Sequence, residues 1–105
     1  DACAFNGNLS SWNVSNVTTM ERMFESAYAF NGDLSSWDVS NVTTMKQMFQ
    51  GASVFNGDLS SWSVANGTKI GSMFYQAEAF NKDTIKNWNL EGKDLGEGLF
   101  EEPKD

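Results

Sequence analysis

Apolar residues recur along this chain on two scales. Within the stretch FNGDLSSWDVSNVTTMKQMFQGA, which begins at Phe30, Trp37 and Val39 alternate with Ser36, Asp38 and Ser40. That alternation is the pattern of a short strand with Trp37 and Val39 inside and the three polar residues outside. Further on, Met45, Met48, Phe49 and Ala52 fall at i, i+3, i+4 and i+7, the spacing of a short helix with an apolar inner face. Ser40, Asn41 and Thr43 supply side chains that cap a helix start. Asn31-Gly32-Asp33 ahead of the strand is turn chemistry: Asn and Asp bond their own backbone, and Gly tolerates positive φ.

The larger scale is a 25-residue period. Phe5, Phe30, Phe55 and Phe80 keep it, as do Phe24, Phe49 and Phe74, and Trp12, Trp37 and Trp62. Trp88 and Phe100 come one residue late, so an insertion lies between Phe80 and Trp88. A unit of this length cannot bury its own apolar face, so units stack and the core runs through them as a column. The expected fold is an α/β solenoid of about four 25-residue coils, with a parallel sheet on one face and short helices on the other. The coils fall at about 5–29, 30–54, 55–79 and 80–105, all in a single repeat domain of residues 1–105. With parallel strands about 4.8 Å apart, four coils give a body on the order of 20 Å long. The fourth copy is degenerate, carrying Gly92, Gly96 and Gly98, and ends in charge and Pro103, the character of a capping repeat.

Charge narrows the partners. Seven basic against fourteen acidic residues give a net charge of -7, which repels nucleic acid and anionic membranes. No apolar run approaches the length that spans a bilayer, so neither a nucleic-acid partner nor membrane insertion is expected. With no histidine and one cysteine, Cys3, the chain has few metal ligands, and no cofactor is expected. No nucleophile with its base, phosphate loop or carboxylate pair of glycosidase type can be assembled, so the chain does not read as an enzyme.

The string Met-Phe-x-x-Ala-x-x-Phe-Asn-Gly-Asp-Leu-Ser-x-Trp-Asp-Val-Ser-Asn-Val-Thr-x-Met resembles the 25-residue surface-protein repeat of mycoplasma lipoproteins and of BspA-like leucine-rich-repeat proteins. The likeness runs from Phe5 to Phe100. It implies a leucine-rich-repeat-like coil displayed outside the cell, with a role in adhesion or surface assembly. Gly67, Gly71 and the slipped fourth copy depart from the repeat.

Three sets of candidate residues follow. Sequons for N-glycosylation stand at Asn8, Asn13, Asn16, Asn41 and Asn66. Asn16, Asn41 and Asn66 share one repeat position, where a backbone-bonding asparagine at a corner explains them equally well. A candidate binding face consists of the outward rungs Asn13, Ser15, Ser36, Asp38, Ser40, Ser61, Ser63 and Asn89, short polar side chains without an exposed aromatic platform. Candidate self-association residues are Leu9, Trp12 and Met20 at one end and Trp88, Leu90 and Phe100 at the other. The Asn-Gly-Asp rungs offer one carboxylate each, too few oxygens for calcium. Cys3 shares its column with Tyr28, Ser53 and Glu78, which differ from copy to copy and are expected at the surface.

The expected function is that of an extracellular or cell-surface structural protein that associates head to tail with copies of itself or adjacent repeats. On this expectation Leu9→Asp or Leu90→Asp abolishes assembly and leaves the monomer folded. The alternative is an adhesin-type module that recognises glycans or surface proteins through its outward strand face.

Overall fold

Hydrogen-bonded turns, rather than strands or helices, shape each copy of the repeat. The computed structural model describes residues 9, 11–65, 67–86, 88 and 98–103. In the second copy the amides of Met48, Gln50, Ala52 and Phe55 donate to the carbonyls of Met45, Gln47, Phe49 and Ala52, each three residues back, at 3.0–3.2 Å. The i, i+3, i+4, i+7 pattern therefore marks the corners of consecutive turns. The expected helix is absent because Gln47 and Gly51 have φ of 58 and 75, and left-handed residues interrupt a right-handed helix. The same columns are left-handed in the other copies, at Arg22 and Ser72 and at Ser26 and Gln76. Each stands third in its turn, where a type II turn requires positive φ.

The remaining amides point sideways. Met45, Gln47, Phe49 and Gly51 donate to Lys69, Gly71, Met73 and Tyr75 of the next copy at 2.7–3.1 Å. Met20, Arg22, Phe24 and Ser26 donate in the same way to Thr44, Lys46, Met48 and Gln50. Alternate amides thus close a local turn or reach the neighbouring copy, and the backbone is satisfied without an extended ladder.

The expected strand is likewise folded into turns. Trp37 N–H donates to the Leu34 carbonyl and Val42 N–H to the Val39 carbonyl, both at 3.1 Å. Asp33 Oδ1 accepts from the Ser35 amide at 2.9 Å and its hydroxyl at 2.6 Å. Asp38 does the same with Ser40, at 3.1 and 2.7 Å. Local side-chain bonds of this kind draw the backbone out of a ladder. Among the described residues, what remains of the sheet is two isolated parallel bridges, Thr19 with Thr44 and Thr44 with Lys69. The expected α/β solenoid, with its leucine-rich-repeat-like sheet and helix row, does not form. Among the described residues there is no strand, and the one helical element is a 3-10 turn, Lys82–Ile85. The chain is instead a compact body with little regular secondary structure, measuring 33 × 29 × 25 Å.

The core is aromatic. Phe24, Phe49 and Phe74 stack at 5.5 Å between ring centroids, and Phe100 continues the column at 5.6 Å. Phe30, Phe55 and Phe80 form a second column at 5.8 and 6.0 Å. The columns touch rung by rung, at 4.4 Å between Phe24 and Phe30, 4.3 Å between Phe49 and Phe55, and 4.0 Å between Phe74 and Phe80. Each offset stack adds about 0.5–1.5 kcal/mol beyond the area it buries. Trp37 and Val39 are buried while Ser36, Asp38 and Ser40 are exposed, so the alternation places these residues correctly although no strand carries them.

The insertion has a structural counterpart. Three residues separate Phe30 from Leu34 and Phe55 from Leu59, but four separate Phe80 from Ile85. The 3-10 turn Lys82–Ile85 takes up the surplus, and Asn81 caps it by accepting from the Asp83 amide at 3.0 Å. Trp88 N–H then donates to the Ile85 carbonyl, as Trp62 N–H does to Leu59. Positive φ is not the reason for glycine in the Asn-Gly-Asp rungs, because neither Gly32 nor Gly57 is left-handed. A Cβ on Gly57 would stand 2.8 Å from the Phe55 ring.

Candidate functional site

Three surfaces carry the candidate residues. The first is the surface beside Trp12. The carbonyls of Leu9, Leu34 and Leu59 each accept two hydrogen bonds, one from the amide of the tryptophan three residues on. The other comes from the indole of the next copy: Trp37 Nε1 to Leu9 at 3.0 Å, Trp62 Nε1 to Leu34 at 2.8 Å, and Trp88 Nε1 to Leu59 at 3.1 Å. These three tryptophans are at most 8 % exposed, whereas Trp12 is 54 % exposed. At the opposite end, the Ile85 carbonyl accepts only the Trp88 amide among the described residues. Of the other self-association candidates, Leu9, Met20 and Trp88 are buried and Phe100 is half-buried under Lys82, whose Nζ stands 4.7 Å from its ring. Leu90 lies outside the described residues. Since Leu9 is part of the core, Leu9→Asp unfolds the monomer rather than blocking assembly alone.

The second surface holds the polar rungs. Asn13, Ser36, Asp38, Ser40, Ser61 and Ser63 are exposed and Ser15 is half-buried, while Asn89 lies outside the described residues. Much of this polarity is turned inward on the backbone. Asn13 Oδ1 accepts from the Ser15 amide and hydroxyl at 3.1 and 2.8 Å, and Ser61 Oγ donates to the Ser35 carbonyl at 2.8 Å. Asp33, Asp38 and Asp58 are held below their ordinary pKa, first by the hydroxyl and then by the amide of Ser35, Ser40 and Ser60. Of the sequon asparagines, Asn13 and Asn16 are exposed, and Asn41 Nδ2 donates to the Ser15 carbonyl at 2.7 Å, tying one copy to the next. Asn8 and Asn66 lie outside the described residues. Among the described residues no three metal-ligating side chains come together, and no helix is long and apolar enough to cross a membrane.

The third surface runs across the turn tips and is absent from the sequence-based binding face. A depression of about 270 Å³ is lined by Ser26, Gly51 and Gln76 and by Tyr28, Ser53 and Glu78, two columns at the 25-residue period. Tyr28 is 56 % exposed. This surface thus carries an exposed aromatic ring. The signal was present in the sequence, since the column Tyr28, Ser53, Glu78 differs in every copy while the adjoining Ala27, Ala52, Ala77 column does not vary.

No curated protein and no solved structure matches the chain. One family model does match, over residues 1–105, and its description is "Mycoplasma protein of unknown function, DUF285". The family match agrees with the mycoplasma side of the resemblance and leaves the BspA-like leucine-rich-repeat identity without support. The chain belongs to the DUF285 family.

Proposed function

We propose that this chain is a structural repeat module of the cell surface that associates end to end with copies of itself. The observation that carries this reading is the exposed Trp12 indole, in a chain whose other three indoles each donate to a carbonyl of the adjoining copy. Among the described residues the Ile85 carbonyl accepts only the Trp88 amide, where Leu34 and Leu59 each accept an indole as well. Trp12 of one molecule meets Ile85 of the next and repeats the internal contact between molecules. Unlike ends in contact make a heterologous interface, which propagates into a filament or closes into a ring. Placement at the cell surface belongs to the same proposal and rests on the likeness of the repeat to surface-protein repeats.

Light scattering of the chain over a rising concentration series tests the reading. Mass that grows with concentration, and reverts to the monomer in Trp12→Arg with an unchanged thermal midpoint, is the expected result. A strict monomer throughout, or growth that survives Trp12→Arg, overturns it.

A further inference from the structure

The four copies are alike where stacking constrains them. Phe24, Phe49 and Phe74 fill one core column, and Ala27, Ala52 and Ala77 fill another. At the turn tips stacking fixes the backbone but not the side chain, and there the copies diverge: Ser26, Gly51 and Gln76 in one column, Tyr28, Ser53 and Glu78 in the other, with Ser26, Gly51 and Ser53 half-buried and Tyr28, Gln76 and Glu78 exposed. These six residues line the depression at the turn tips. Its middle rung is Gly51, with φ of 75, flanked by Ser26 and Gln76 at φ of 61 and 62. Gly51 thus places no side chain between Ser26 and Gln76, while Ser53 stands between Tyr28 and Glu78 in the adjoining column.

We propose that this depression binds a neutral saccharide. A pyranose ring offers an apolar C–H face and a rim of vicinal hydroxyls. Tyr28 supplies a large, largely exposed aromatic surface for the first. The Glu78 carboxylate, the Gln76 amide and the Ser53 and Ser26 hydroxyls supply acceptors and donors for the second. A carboxylate accepting from sugar hydroxyls makes stronger bonds than neutral acceptors do. The volume of about 270 Å³ lies below the roughly 300–1,000 Å³ typical of drug-sized ligands, and suits one or two sugar rings. A peptide would find no apolar pocket on a floor of glycine and serine. Acidic sugars are disfavoured by Glu78 at the site and by the net charge of -7.

Saturation-transfer NMR with methyl β-galactoside, methyl β-glucoside and methyl α-mannoside, with sialyllactose as the anionic comparison, reads the site directly. At least one neutral glycoside binds with a dissociation constant of about 1–10 mM, and saturation falls on the C–H protons of one ring face. Tyr28→Ala and Glu78→Ala each weaken that binding tenfold or more with the thermal midpoint unchanged, and Tyr28→Phe retains most of it. The proposal is overturned if none of the three glycosides takes up saturation, if binding survives both alanine substitutions, or if sialyllactose binds as tightly as the neutral sugars. Binding by Trp12→Arg equal to the parent separates this site from end-to-end assembly.

Discussion

The indole Nε1 of Trp62 donates to the Leu34 carbonyl at 2.8 Å, although the residues stand 28 apart in the chain. The same carbonyl accepts the Trp37 amide at 3.1 Å, so one oxygen closes a turn within its copy and ties that copy to the next. Local and inter-copy structure therefore form together. A backbone built of isolated turns is stable here because each turn is anchored across the stack as well as along the chain.

Trp62→Phe keeps an aromatic ring and removes the indole donor, at a cost of about 1 kcal/mol for the bond. Trp62→Ala also empties a buried site, costs about 3–5 kcal/mol, and exhausts much of the stability of a small domain. Trp12→Phe, at the exposed position, changes stability by less than about 0.5 kcal/mol. Urea midpoints, measured where the parent is monomeric, should be highest for Trp12→Phe, lower for Trp62→Phe and lowest for Trp62→Ala. An equal loss in Trp12→Phe and Trp62→Phe would show that the indole bond contributes nothing.

The left-handed positions give a second, opposite-signed pair. A non-glycine residue there is strained by about 1–2 kcal/mol. Gln76→Gly relieves that strain at φ of 62, partly offset by the greater freedom of glycine in the unfolded chain, and should stabilise by about 0.5–1 kcal/mol. Gly51→Ala introduces it at φ of 75, where the new Cβ makes only ordinary contacts of 3.5–3.6 Å, so about 1–2 kcal/mol should be lost to the backbone alone. Thermal melts of the two variants should move in opposite directions, and a shared direction would remove the turn geometry as their cause.

Much of the interior was legible from the sequence, and little of the backbone was. The 25-residue spacing of Phe24, Phe49 and Phe74 predicts a stacked core, and their rings do stack at that period. The Met45, Met48, Phe49, Ala52 pattern predicts a helix, but consecutive three-residue turns bring the same residues to one side. Burial pattern alone does not separate the two. The glycine at position 51, matched by Ser26 and Gln76, was the local sign of a left-handed column, though serine and glutamine hide it in the other copies. Of the polar rungs, Asn13, Ser36, Asp38, Ser40, Ser61 and Ser63 are exposed, and the side chains of Asn13, Asp38 and Ser61 are engaged by the backbone. The depression beside Tyr28 was missed because the variation of its column marks a surface but does not show that Ser26, Gly51 and Gln76 share that surface with Tyr28, Ser53 and Glu78, which depends on the left-handed turns.

The acid side of the stability curve should follow the three serine-bonded aspartates. Asp33, Asp38 and Asp58 have folded pKa values below their unfolded ones, chiefly because Ser35, Ser40 and Ser60 donate hydroxyl bonds to the charged form. A depressed carboxylate contributes stability above its unfolded pKa and loses it as pH falls through the folded value. Urea midpoints should therefore be level from pH 7 to about 5 and decline below about 4. The triple variant Asp33→Asn, Asp38→Asn, Asp58→Asn should lose less on acidification than the parent does. An identical acid slope in both proteins would place the sensitivity elsewhere.

The surplus residue of the fourth copy supplies the last prediction. Thr84 lengthens the path from Phe80 to the next buried aliphatic residue, Ile85, and the 3-10 turn Lys82–Ile85 exists to absorb it. Deleting Thr84 leaves Phe-Asn-Lys-Asp-Ile, the spacing by which Phe30 reaches Leu34 and Phe55 reaches Leu59. That spacing sets Lys82 where the third copy has Gly57, at which a Cβ would stand 2.8 Å from the Phe55 ring, so the deletion is made together with Lys82→Gly; the loop can then close as its neighbours do, and the Trp88 indole keeps its bond to the Leu59 carbonyl, now 3.1 Å. The deletion should change stability by no more than about 1 kcal/mol, since what is lost is one half-buried turn residue and its amide bond to the Asn81 carbonyl. Deleting Asp58 from the third copy removes a residue where none is spare. It shifts Leu59 and Trp62 out of register with Leu34 and Trp88 and should abolish cooperative unfolding. Melting curves that lose cooperativity equally in both deletions would show that the fourth copy does not repeat the loop of the others.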